Sequence, residues 1–519
     1  MASSYPNPLM PGFNPDPSCV RVDGVYYLVT SSFEYMPGLP VYRSTDFVSW
    51  EHIGNIAERM SQSGVAETPS GMGIWAPTIR HRDGVFYVIV VIAASPRGCV
   101  VFTASDPAGP WSEGTPIPSV DGIDPDLAWD DAGNAYVTYS AYRMAGEEPG
   151  RHDGIEQFRV DLTTGEALES PRPLWSGTGL QFPEAPHLYR RGAFWYLLIA
   201  EGGTERGHAV SIARGASIEG PFSGGPANPL LRAAGTSSPV QNTGHADLVE
   251  GPDGTDVFVA LGVRPLGTGL SFSPLGRETF ATPVEWVDGW PVVAPIELAP
   301  HDGVCAERFG LSSAAELADP GWLAVGQLVG DVAAVIDGCL AMSGPGVSLD
   351  ARRPAFIGRR QRHLDSDTSI RVRPRDGIGG LGLRYNERFH ITATARSSTA
   401  ERTLVTVVAA LPGIRQSFHE DVPGDEVMLR ISTRRPRRFM PNDGAGGDRI
   451  VITAVGTDGR DVVVAELDGR FWSAETAASF TGRVIGPFAE SGEVRFRDFA
   501  YQGGDGRNGL AQPGERVEL

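Results

Sequence analysis

Residues 181–203 read QFPEAPHLYRRGAFWYLLIAEGG. Glu184 is followed by Pro186, His187, Leu188 and Tyr189; Gly192 comes eight residues after the glutamate, and the apolar run Ala193 to Ile199 follows. That order predicts a short strand, a turn at Arg191-Gly192 and a longer strand of aromatic and aliphatic residues. The same pattern occurs four more times. NPDPSCVRVDGVYYLVTSS places Asp16 eight residues before Gly24, and WAPTIRHRDGVFYVIVV places Trp75 nine before Gly84. DPDLAWDDAGNAYVTYS sets Asp124 nine before Gly133, and HADLVEGPDGTDVFVALG sets His245 nine before Gly254. The five glycines are 60, 49, 59 and 62 residues apart.

Repetition at this period, with several short strands per unit, predicts a propeller of about four strands per blade. Five copies predict five blades. The first strand of each blade lines the central channel, so Asp16, Trp75, Asp124, Glu184 and His245 are expected at equivalent points around one axis. A single Asp-Gly turn behind a carboxylate is ordinary in β proteins. Five copies whose variable residue is mostly ionisable or aromatic point to a site, because purely structural repeats tend to keep one residue.

Bulk properties narrow the function. A chain of 519 residues predicts two or three domains, and 41% hydrophobic with 21% charged residues is a globular composition. A net charge of -19 disfavours nucleic acid and anionic membrane surfaces, whose phosphates it would repel, but is indifferent to a neutral sugar. MASSYPNPLMPGF shows no basic segment ahead of an apolar core, and no apolar run is long enough to span a bilayer, so a cytoplasmic protein is expected. Cys19, Cys99, Cys305 and Cys339 form no CxxC pair and are expected as free thiols.

Several stretches carry a further likeness: NPLMPGFNPDPSCVRVDGVYYLVTSSFEYMPGLPVYRSTDFVSW, GIWAPTIR, IDPDLAWDDAG, EAPHLYRRGAFWYLLIAEGGTERGHAVSIARG, NTGHADLVE and LGRETF. Together they resemble glycoside hydrolase family 43, nearest its β-xylosidase branch. FIGRRQRHLDSDTSIRVRP and GIGGLGLRYNERFHITA extend the resemblance more loosely into the second half. The resemblance implies an all-β protein, a five-bladed β-propeller followed by a β-sandwich. We expect the propeller over 1–300, a linker over 301–325, the sandwich over 326–503 and a mobile tail over 504–519. Short strands without the long repeat, such as DTSIRVRPRD and EVMLRISTR, agree with a sandwich there. RRPRRFMPNDGAGGDR is expected as a basic, Gly-rich loop.

The resemblance also implies roles. Asp16, stiffened between Pro15 and Pro17, is the general base. Glu184, in the apolar run Phe182, Pro183, Ala185, Pro186, is the general acid, its surroundings disfavouring the ionised form. Asp124 is the third carboxylate, orienting the acid and helping it keep its proton. Asp126 shares a face with Asp124 by strand alternation but does not align with the other copies, and Asp130 and Asp131 read as turn residues. Phe33 borders the sugar or packs in the core, Trp75 stacks on the sugar or packs in its blade, and Arg277 contacts the sugar and steadies the carboxylates or pairs with Glu278. Glu201 and His208 are expected as structural. His245 completes the ring, with a largely hydrated calcium beside it implied by the resemblance; no cofactor is required, and no second histidine at ligand spacing suggests a transition metal. Phe480 and Phe488, in FTGRVIGPFAE, are the sandwich aromatics available to narrow the mouth, although VIG stands where another aromatic is expected.

The implied activity is inverting, exo-acting release of xylose from the non-reducing end of β-1,4-xylo-oligosaccharides. Two carboxyl groups roughly 6.5–9.5 Å apart suit inversion. The alternative is an α-L-arabinofuranosidase or an enzyme taking both sugars, and self-association to a dimer or tetramer is expected. A non-catalytic carbohydrate-binding propeller explains the aromatics but not three carboxylates, and a protein-interaction propeller leaves the channel acids unexplained.

Overall fold

In the computed structural model, residues 5–144, 148–267, 269–301, 303–436, 446–506 and 510 are described. Five antiparallel sheets follow one another along the first 293 residues, each made of strands consecutive in sequence except that the first passes over Tyr35–Met36. Their innermost strands are Ser18–Val22, Gly73–Arg82, Ile123–Trp129, Glu184–Arg191 and Gln241–Glu250. Four sheets have four strands, and the sheet that begins at Glu184 has five, with Leu231–Arg232 off the main path. Each turn glycine of the repeat has positive φ, as at Gly24 (82°) and Gly84 (77°), where a side chain would be strained. The apolar run behind each turn is the second strand, and it packs between neighbouring blades: Val88 and Val90 face one interface, Ile89 and Val91 the next.

Closure differs from the usual exchange of strands between chain ends. The disc is tied instead by two isolated bridges, Asn7 with Ala299 and Met10 with Thr279. The Asn7 side chain also donates to Ala281 and Glu297 carbonyls at 2.8 and 3.0 Å.

The second half is a β-sandwich organised on one long strand, Val484–Gly503. Its first part pairs with Ile378–Arg384 and Ala355–Arg360, and its second part with Ser366–Arg373, Cys339–Pro345 and Cys305–Phe309. The stretch expected as a linker is therefore built into the sheets: Cys305–Phe309 joins the long strand, and Leu323–Val325 pairs with both Gly358–Ile357 and Tyr35–Met36 of the propeller. Burial of all three residues, Leu323, Ala324 and Val325, explains why this piece is held rather than free. One aromatic core, including Phe13, Phe33, Tyr35, Phe356 and Phe488, is shared by the two halves. Most of the expected tail, and residues 437–445 of the expected basic loop, lie outside the described residues. Asp505, at the start of that tail, is buried and paired with Arg264. All four cysteines are free, and among the described residues no helix is long and apolar enough to cross a membrane.

Candidate active site

The blade heads converge, but in two registers. Asp16, Asp124 and His245 have left-handed φ of 56°, 53° and 46°. In the other two blades that position holds Ala76 (31°) and Ala185 (48°), so Trp75 and Glu184 each stand one residue earlier. In four blades the ladder skips over this position: Trp75 pairs with Val91 and Thr78 with Ile89, Glu184 with Ala200 and His187 with Leu198. Similar slips occur at Ile123/Asp126 and Gly244/Ala246. A proline follows the left-handed residue in four of five blades (Pro17, Pro77, Pro125, Pro186) and removes the N–H that an unbroken ladder would need. Left-handed backbone costs a non-glycine residue about 1–2 kcal/mol, and here it turns the heads into the mouth of the channel. The expectation of five equivalent heads is thus corrected: three are equivalent, and two are their preceding neighbours.

Asp16, Phe33, Trp75, Asp124, Glu184, His245 and Arg277 all line one pocket of about 370 Å³. Phe33 is 2% exposed, so it belongs to the shared aromatic core while also lining the cavity. Trp75 is held by its indole N–H on the Gly71 carbonyl at 2.9 Å. Phe480 reaches over from the sandwich, stacked on Phe33 at 6.2 Å and edge-on to Trp75 at 5.9 Å. Phe488 is buried in the core below and takes no part in the mouth.

Asp16 accepts Ser31 Oγ at 2.6 Å and Arg277 Nη1 at 2.8 Å. Burial alone would push its carboxyl up; the Arg277 charge, first among the opposing influences, and the Ser31 hydroxyl outweigh that and hold it below the ordinary value. Arg277 also donates to Thr204 Oγ1 at 3.1 Å and the Phe480 carbonyl at 3.3 Å, with its guanidinium 5.6 and 5.3 Å from the Phe33 and Phe480 ring centres. Pairing with Glu278 does not occur, because Glu278 is buried against Arg264 at 2.7 Å. Asp124 is pushed well up, by burial first and then by the charges of Glu184 and Asp16. Burial takes His245 down to about 3 and His208 to about 4, so both are neutral rings at neutral pH. His208 hydrogen-bonds the Asn242 carbonyl at 3.0 Å while also touching the pocket. Glu201 is structural: fully buried, it accepts Thr178 N and Oγ1, both at 2.6 Å, and Ser211 Oγ at 2.9 Å.

A second ring, unnoticed in the sequence, lies two residues beyond each left-handed position: Ser18, Thr78, Asp126, His187 and Asp247, all buried. Arg80 fills it. Its guanidinium donates to Asp126 at 2.7 Å and Asp247 at 3.1 Å, lies 3.0 Å from His187 Nδ1, and faces Tyr189. Alternation could have found this ring once the heads were aligned on the X-Pro dipeptides. His152 was missed altogether. Its Nε2 is 3.7 Å from Glu184 Oε1, and no motif marks it.

Calcium needs a set of oxygen donors. Among the described residues no three His, Cys, Asp or Glu side chains gather to hold a metal. Arg277 occupies Asp16, and Arg80 occupies Asp126 and Asp247. The residues present do not fit a directly ligated calcium.

With this geometry in view, residues 5–291 match the family model for Glycosyl hydrolases family 43. The chain belongs to glycosyl hydrolase family 43. Residues 318–502 match the Beta xylosidase C-terminal Concanavalin A-like domain, which is the sandwich. Among family 43 relatives, a non-reducing end alpha-L-arabinofuranosidase of Bacteroides ovatus is 32% identical over 94% of this chain and 91% of its own. A xylosidase/arabinosidase of Humicola insolens is 32% identical over 99% of both chains. A xylosidase/arabinosidase of Butyrivibrio fibrisolvens reaches 41%, over 56% of each. The solved xylan beta-1,4-xylosidase of Bacillus halodurans superposes with a TM-score of 0.84 at 25% identity, covering 96% of this chain and 99% of that one. Membership of family 43 makes this protein a glycosidase with a carbohydrate substrate.

Proposed function

We propose that the enzyme is an inverting, exo-acting β-1,4-xylosidase that releases xylose from the non-reducing end of short xylo-oligosaccharides. The observation that carries this is the meeting of Asp16, Asp124 and Glu184 in one pocket closed by Phe480. Asp16, kept ionised by Arg277, takes a proton from water; the water oxygen bonds to the anomeric carbon, and the bond from that carbon to the leaving oxygen breaks. Glu184 gives that oxygen its proton. Beside it, Asp124 is pushed well above its ordinary value, by burial first and then by the charges of Glu184 and Asp16. Glu184 delivers the proton because it is half-buried at the pocket wall, whereas Asp124 is buried. Phe33, Trp75 and Phe480 supply apolar faces for the sugar ring.

Incubated with xylobiose, the protein should liberate xylose of inverted anomeric configuration, read by proton NMR within the first turnovers. Retained configuration would overturn the assignment of Asp16 as a base. Relatives that are an arabinofuranosidase and a xylosidase/arabinosidase favour one second reading, α-L-arabinofuranosidase activity on the same carboxylates. Comparing kcat/KM on the nitrophenyl β-D-xylopyranoside and α-L-arabinofuranoside ranks the two. We further propose that no metal is needed, since Arg277 already supplies the positive charge beside Asp16. Exhaustive chelation should leave kcat/KM unchanged, and a loss restored by calcium would refute this. Acting on imported oligomers inside the cell, as a dimer or tetramer, completes the proposal.

A further inference from the structure

His152 opens the strand His152–Val160 of the third blade, opposite Tyr142, and its ring lies between Tyr142 (5.6 Å) and Phe182 (5.9 Å). Its Nε2 is 3.1 Å from Ser140 Oγ, and Ser140 Oγ is 3.0 Å from the Pro183 carbonyl oxygen. A carbonyl can only accept, so the Ser140 hydrogen goes to Pro183, and Ser140 Oγ is left as an acceptor toward the ring. Nε2 must therefore carry the hydrogen. The same N–H looks at Glu184 Oε1, 3.7 Å away. Nδ1 is buried with no partner among the described residues. A phenylalanine or leucine would fill this slot between two aromatic rings without stranding a buried polar atom, which costs about 1–3 kcal/mol. This chain has an imidazole there despite that cost, and among the described residues the carboxylate within 4 Å of its N–H is the acid.

We propose that His152 is a positioning residue for Glu184: its Nε2–H, fixed by Ser140 and the Pro183 carbonyl, turns to Glu184 as the carboxylate forms and steadies it. The inference rests on Glu184 being the general acid. At 3.7 Å the contact is longer than a hydrogen bond, and it closes as the proton leaves, when the oxygen gains charge. Three blade elements meet there. The strand Glu184–Arg191 brings Glu184, which feels the neighbouring Asp124, and the strand Ala135–Tyr142 brings Tyr142 and Ser140. Arg143, Asp153 and Glu156 close on one another as a separate set at 3.0 and 2.8 Å.

The test compares His152→Leu and His152→Gln in the full chain. Each is assayed on xylobiose, whose leaving sugar needs a proton, and on dinitrophenyl β-xyloside, whose leaving group does not. His152→Leu should lose about tenfold or more in kcat on xylobiose, the scale of a hydrogen bond to a charged group, with KM little changed and the dinitrophenyl substrate nearly unaffected. Its alkaline limb in kcat/KM should move to higher pH, because a donor to the ionised form has been removed. His152→Gln, which keeps an N–H, should recover most of the loss. Equal losses on both substrates with an unmoved limb would mean packing alone and overturn the proposal. Glu184→Gln separates the two levels: if it spares xylobiose, the acid assignment fails and takes this inference with it; if it costs xylobiose far more than the activated substrate, only the His152 results decide.

Discussion

Asp16→Ala should cut kcat on xylobiose by about 10²–10⁴-fold, the usual contribution of a positioned base. Unlike a change at Glu184, it should do so equally on activated and unactivated substrates, since water must be deprotonated whatever leaves. The variant also strands Arg277 beside a cavity, so part of the loss should appear in KM as Arg277 drifts from the sugar position. Arg277→Leu provides the companion result. Burial is the largest influence on Asp16, and Arg277 is the first of those opposing it. Without that charge the carboxyl rises, and the acid limb of kcat/KM moves to higher pH. Stability follows the same sign: held below its ordinary value of 3.8 in the folded state, Asp16 contributes stability that is present above that value and lost as pH falls through the folded one. An Asp16→Ala enzyme with near-normal turnover would remove the base assignment.

The largest stability effect is expected deeper in the channel. Asp247 accepts from Ser18 Oγ at 2.6 Å, Cys19 N at 3.1 Å, Arg80 at 3.1 Å, Leu248 N at 2.9 Å and the Tyr189 hydroxyl. Those donors come from the first, second, fourth and fifth blades, so one carboxylate ties most of the disc. Asp247→Ala leaves them unpaired together with part of the Arg80 charge, and removing one member of a buried pair costs about 3–5 kcal/mol. Thermal unfolding of the full chain should show a lower transition, while folded protein well below it keeps most of its turnover. Lost turnover with unchanged melting would mean that the second ring serves chemistry rather than closure.

Much of this was readable from residues alone. The five copies were visible because each blade needs the same tight turn, and a turn of left-handed φ selects glycine whatever the rest of the blade does. The three carboxylates and Arg277 were visible through family-like words around them. Counting back from the turn glycine nevertheless misplaced Trp75 and Glu184 by one position. The distance from bulge to turn is 8 residues in the first two blades but 9, 7 and 9 in the others, because hairpin length varies while the bulge does not. Asp16-Pro17, Ala76-Pro77, Asp124-Pro125 and Ala185-Pro186 carry the true register. That register would have exposed the Arg80 ring as well. Phe480 was among the sandwich aromatics offered for the mouth, but choosing it over Phe488, and finding His152, lay beyond the sequence for another reason: each acts across a boundary, between domains or between blades, where no local periodicity reports the partner.

The aromatic core shared by Phe13, Phe33 and Tyr35 with Phe356 and Phe488 ties catalysis to chain length. A propeller released by cutting after residue 300 would bare those rings to water and surrender the Phe480 wall together with the carbonyl that anchors Arg277. The smallest unit that can hold its sugar is therefore the two-domain chain. Grafting this propeller onto a foreign sandwich would require rebuilding the wall as well as the seam.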